Sequence, residues 1–77
     1  MPAKSKPVEE KKTFIEEARR KQIIDAALQT IAEHGYTQTS FAEIAKSLGI
    51  TKGLIAYHFN GKHDLITSAI HTILNRQ

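Results

Sequence analysis

An all-α fold, three helices packed as a bundle with a fourth leading out of it, is what this 77-residue sequence predicts. Three observations predict it. Apolar residues recur at helical spacing in four separate runs, no segment shows the two-residue alternation of a strand, and the runs are bounded by capping residues or by glycine.

The first helix is expected from Phe14 to His34, opened by Thr13 with Glu16 three residues on, the spacing of a capping box. Ala18, Ile24, Ala27, Leu28 and Ile31 form its apolar stripe with Ile23 flanking, while Arg20, Lys21, Asp25, Gln29 and Glu33 face away. Gly35 ends it, since glycine accepts the left-handed conformation of a terminator, and His34 suits the negative end of the helix dipole. Ahead of it, Met1 to Lys12 contains Pro2 and Pro7 and little to bury, so residues 1–12 read as a flexible tail and 13–61 as the domain proper.

The second and third helices are expected at about 41–48 and 52–58. Ser40 followed by Glu43 is another capping box, and Phe41, Ile44, Ala45 and Leu48 lie at i, i+3, i+4, i+7 on one face. Gly49 then stops the helix, Ile50 supplies an apolar plug, and Thr51 caps a new helix carrying Leu54 and Ile55, with Phe59 beyond. Small Ala45 lets the two helices cross closely. Such a corner is a helix-turn-helix, whose second helix is the one that enters the DNA major groove. A helical protein-interaction or dimerisation module without DNA binding uses the same pattern, and at this point it stays open.

Asn60 and Gly61 end the third helix, and Lys62 opens a fourth whose stripe is Leu65, Ile66, Ala69, Ile70, Ile73 and Leu74, with Asp64 placed well against the dipole. That stripe exceeds what three small partners cover, and its period still runs near Gln77. Residues 62–77 are therefore expected to begin a helix that continues into something larger. The core is expected around Ile24, Leu28, Ile44, Leu48, Ile55 and Phe59.

Composition narrows the function. The net charge of +3 favours an anionic partner, although seven of the eleven Lys and Arg precede Gln22 among neutralising glutamates. Without cysteine, no disulfide or thiolate metal site staples the chain. No stretch resembles a signal peptide or a membrane span, so a cytoplasmic protein with no membrane partner is expected. The histidines, separated by 24, 5 and 8 residues, lack the spacing of a helical metal pair. With no nucleophile-base pairing and no phosphate-cradling glycine loop either, no enzyme, catalytic residue, metal or cofactor is expected.

The third helix offers different chemistry. Thr51, Lys52 and Gly53 lie at its start, where Lys52 can donate to guanine or phosphate and Gly53 lets the backbone approach the groove. Tyr57 and His58 place a phenol and an imidazole near its end, and Lys62 adds a charge at the start of the next helix. The expectation is a ridge of donors without a carboxylate.

From Gln22 to Leu65 the chain reads QIIDAALQTIAEHGYTQTSFAEIAKSLGITKGLIAYHFNGKHDL. The IIDAAL start, the EHGY turn, the TS pair, IA and LGI, TKGLI, YHF and a following lysine together resemble the N-terminal DNA-binding domain of the TetR family of transcriptional regulators. The resemblance implies a homeodomain-like three-helix head and a fourth helix leading to a C-terminal ligand-binding and dimerisation domain. It also implies a homodimeric parent that represses from a palindromic double-stranded operator until a small-molecule effector binds. Matching positions that touch DNA in such proteins are Thr39 and Ser40, then Thr51, Lys52, Gly53, Tyr57 and His58, and finally Lys62. Two departures stand out. Ala56 occupies a position where many members carry tyrosine, and these residues hold no counterpart of the ligand-binding domain, so effector response and family-type dimerisation are expected outside them.

Overall fold

Four α-helices follow from these local signals, α1 Pro7–His34, α2 Phe41–Leu48, α3 Lys52–His58 and α4 Lys62–Leu74. The computed structural model describes the backbone of residues 7–75 and the side chains of 13–75.

α1 starts earlier than the sequence suggested. Thr13 lies inside it, so the Thr13–Glu16 pair caps nothing, and residues 7–12 of the expected tail are helical. The remainder of that tail, residues 1–6, lies outside the described residues. At 28 residues α1 is more than twice as long as α4. Its N-terminal half consequently has few partners, and Phe14 and Ile15 are exposed.

The core is Ile23, Ile24, Ala26 and Ala27 of α1, Ile44 and Ala45 of α2, Ile55 of α3, Phe59 just after it, and Leu65 and Ala69 of α4. Leu28, Phe41, Leu48, Ile50 and Ile66 pack against its edge. Ile23, expected to flank the stripe, is fully buried, because α1 packs against both α2 and α4 and needs a wider apolar arc than one neighbour would cover. The same packing corrects two further expectations: Ala18 is exposed, and Arg20, expected to face away, is half-buried.

The corner between α2 and α3 forms through local hydrogen bonds. Ser40 Oγ accepts from the Glu43 N–H at 3.1 Å, satisfying a donor the helix itself cannot pair. At the other end Gly49 adopts φ 70°, its N–H donates to the Lys46 carbonyl at 3.3 Å, and the Ile50 N–H donates to the Ala45 carbonyl at 3.0 Å. This pair of bonds is a Schellman motif, with Ile50 as its apolar clasp. Thr51 Oγ1 then accepts from the Leu54 N–H at 3.1 Å and starts α3. After α3 the backbone turns extended at Phe59, which drives its ring into the core. The Asn60 N–H donates to Asp64 Oδ2 at 2.8 Å, so the Asp64 carboxylate reaches back over the start of α4.

Candidate nucleic-acid interface

Of the seven residues of α3, only Ile55 is buried. Leu54 and His58 are half-buried, and Lys52, Gly53, Ala56 and Tyr57 are exposed. A helix held by so narrow an apolar footing presents most of its surface outward. Two capping hydroxyls stand at the starts of α2 and α3. Ser40 and Thr51 each accept a backbone hydrogen bond through a lone pair, which leaves their O–H protons available to a ligand acceptor.

Gly53 is the second residue of α3. A Cβ built there would meet only Thr51 Oγ1, at 3.9 Å, and its φ is not positive. Among the described residues, no contact or backbone angle demands glycine at this position. Glycine here weakens the helix relative to alanine.

Tyr57 is 68% exposed, but its hydroxyl donates to Glu16 Oε2 of α1 at 3.0 Å. The hydrogen bond to this carboxylate, followed by its negative charge, raises the Tyr57 pKa above the ordinary tyrosine value. The expected carboxylate-free ridge is thus corrected: α1 brings a glutamate to it. The sequence missed this because Glu16 and Tyr57 are 41 residues apart. His58 sets its ring edge-on to Tyr57, with centroids 4.9 Å apart.

Two expected residues face inward or sideways. Thr39 is 1% exposed and its hydroxyl donates to the Gly35 carbonyl at 2.8 Å, so its side chain fastens the α1–α2 turn from inside. Lys62 is half-buried; its ammonium donates to the Tyr36 carbonyl and lies 4.0 Å from the centre of the Tyr36 ring. The lysine therefore ties the start of α4 to the α1–α2 turn, with its charge beside the interface rather than projecting from it.

Arg20 is a residue the sequence reading assigned to solvent. Its Nη1 donates to the His58 carbonyl at 2.8 Å, and its guanidinium sits 4.4 Å from the centre of the Phe59 ring. The first of these bonds satisfies a carbonyl at the C-terminal end of α3, and the second is a cation–π contact. A signal for it did exist: Glu16, Arg20, Ile23 and Ala27 follow helical spacing, so the buried face of α1 continues through Arg20 to Glu16.

Among the described residues no group of three or more His, Asp or Glu is placed to hold a metal ion, and no helix is long and apolar enough to cross a membrane. Four helices, with the second and third joined at a glycine-ended corner and the third left open outward, define the class: a helix-turn-helix head.

Residues 23–69, more than half of the chain, match the family model described as bacterial regulatory proteins, tetR family. The chain belongs to that family, whose members are helix-turn-helix transcriptional regulators rather than enzymes. It is 43% identical over 56 residues to the HTH-type transcriptional regulator BetI 1 of Chromohalobacter salexigens, covering 73% of this chain and 28% of that protein. It is 40% identical over 63 residues to BetI of Stenotrophomonas maltophilia, covering 82% of this chain and 32% of the relative. With the fatty acid metabolism regulator protein of Bacillus subtilis it shares 47% identity over 47 residues, 61% of this chain and 24% of that one. The chain thus spans about a third or less of the length of these relatives. No solved structure matches it.

Proposed function

We propose that this chain is the operator-reading head of a cytoplasmic transcriptional repressor, with α3 lying in the major groove of duplex DNA. The observation that carries the proposal is the open face of α3. It presents an exposed lysine, a bare backbone at Gly53 and the free proton of the Thr51 cap, with the Ser40 cap at the start of α2.

In this reading Lys52 and the Gly53 backbone face base edges or phosphate, and the Ser40 and Thr51 hydroxyls donate to phosphate oxygens. Tyr57 and His58 stand over the backbone at the far end of α3. Lys62 contributes field more than direct contact, and Thr39 acts from within by fixing the turn before α2. With few side-chain hydrogen bonds available from Gly53, Leu54 and Ala56, part of the sequence preference comes from DNA shape.

One head makes few phosphate contacts. High operator affinity then requires a dimer of the longer parent, with two heads about one helical turn apart on a palindrome. Ile70, Ile73 and Leu74 are exposed on α4, which fits a helix that continues into the dimerising and effector-binding part of such a parent.

Titration of a labelled duplex at several salt concentrations tests the reading. If Lys52 neutralises about one phosphate and Lys62 acts mainly through its field, log K falls against log salt with a slope of roughly −1 to −2. Tight binding that ignores salt rejects it. A selection from random duplexes with the parent protein returns half-site sequence and spacing together.

A further inference from the structure

The proposed operator reading places the phenol of Tyr57 over the DNA backbone, yet in the free chain that phenol has one proton and α1 holds it. The hydroxyl donates to Glu16 Oε2 at 3.0 Å across 41 residues of sequence. Chance rotation of two surface side chains does not account for this contact, because α1 grips the end of α3 independently. One helical turn further along the same face, Arg20 bonds the His58 carbonyl at 2.8 Å and covers the Phe59 ring at 4.4 Å. That second grip fixes the distance between the helices and brings the Glu16 carboxylate within reach of the ring. The His58 ring packs edge-on against Tyr57, with centroids 4.9 Å apart. Glu16 and Arg20 precede residue 23, where the family-model match begins, while Tyr57 and His58 lie within it.

We propose that Glu16 is a strength-setting residue of the DNA interface: its carboxylate holds the Tyr57 hydroxyl and opposes the phosphate that would otherwise receive that hydrogen bond. A phosphate oxygen and a carboxylate compete for the same proton, and they repel each other when both approach it. At solvent-exposed distances of about 4 Å this repulsion corresponds to roughly fivefold in affinity at low salt. The head is in this way tuned to bind weakly as a single copy. The inference rests on α3 being the DNA-reading element, and the experiment separates the two.

Five proteins are compared: the chain itself, Glu16→Gln, Glu16→Ala, Tyr57→Phe and the double variant of Glu16→Gln with Tyr57→Phe. Each is titrated against a labelled random-sequence duplex at about 50 mM and about 300 mM salt, with helicity and Tm followed by circular dichroism. Glutamine keeps the acceptor and the helix propensity while removing the charge; Glu16→Ala is the second variant and is expected to act in the same direction. Glu16→Gln should tighten binding about three- to tenfold at the lower salt, and much less at the higher, since screening weakens the repulsion. In the Tyr57→Phe background the gain should fall below about twofold, because the hydroxyl that Glu16 holds is gone. Unchanged or weakened binding by Glu16→Gln overturns the proposal, as does an equal gain with and without the hydroxyl; in both cases the operator reading survives if the unmodified chain binds. Should none of the folded proteins bind duplex at any salt, the reading of α3 fails and the inference falls with it.

Discussion

Replacing Gly53 by alanine should stabilise the free chain and weaken its hold on DNA, a separation that few substitutions in a small domain achieve. The added methyl meets only Thr51 Oγ1 at 3.9 Å, an ordinary van der Waals distance, and the residue does not occupy the left-handed region. No strain offsets the gain in helix propensity, which is about 0.5–1 kcal/mol for alanine over glycine. In a chain of 77 residues this raises Tm by about 2–8 °C. The same methyl projects from the exposed side of α3, where the proposed groove contact requires a bare backbone. Lifting the helix off the base edges should weaken binding by about tenfold or more, equivalent to roughly 1.4 kcal/mol. Thermal melting by circular dichroism and fluorescence anisotropy with labelled duplex measure the two effects on one sample. A fall in Tm would refute the packing argument. A higher Tm with unchanged or tighter DNA binding would show that no ligand approaches the backbone at Gly53.

Gly49→Ala is the contrasting case: nothing lies within 4 Å of the added Cβ, but φ is +70°, so conformational strain alone should destabilise the chain by about 1–2 kcal/mol in thermal melts. Lys52→Glu should leave stability within about 0.5 kcal/mol while weakening duplex binding, because that side chain is exposed and, among the described residues, no hydrogen bond ties it to another helix. Lys62→Glu should lower both, losing about 1 kcal/mol of stability with the Tyr36 carbonyl and ring contacts; equal stability of the two variants would contradict the placement of Lys62. Tyr57 should ionise above the ordinary tyrosine range, as read from the absorbance titration of the chain minus that of Tyr57→Phe. A pKa raised by folding means the Glu16–Tyr57 bond contributes below the unfolded tyrosine pKa and is lost as pH climbs through the raised one, so it persists across the neutral range; Glu16→Gln should move the transition back down.

The sequence by itself determined the elements made by bonds along a few residues. The Ser40 and Thr51 caps, the Gly49 terminator and the apolar spacing of α2 each involve partners within about five positions, a range over which residue type dictates conformation. The extent of α1 escaped because a Thr–Glu pair fits both a helix start and a helix interior, and Thr13 lies inside the helix. What the tertiary structure alone decided is which polar groups are already taken. The sequence pattern places Thr39, Lys62 and Tyr57 as donors facing a partner, yet one is buried, one is tied to Tyr36 and one is held by Glu16. The pattern places Arg20 toward solvent, and instead it grips the end of α3 from 38 residues away. Helical period places a side chain on a face, but which neighbour meets that face depends on how the helices cross, and that is set by the shared core of Ile23, Ile44, Ile55, Phe59 and Leu65.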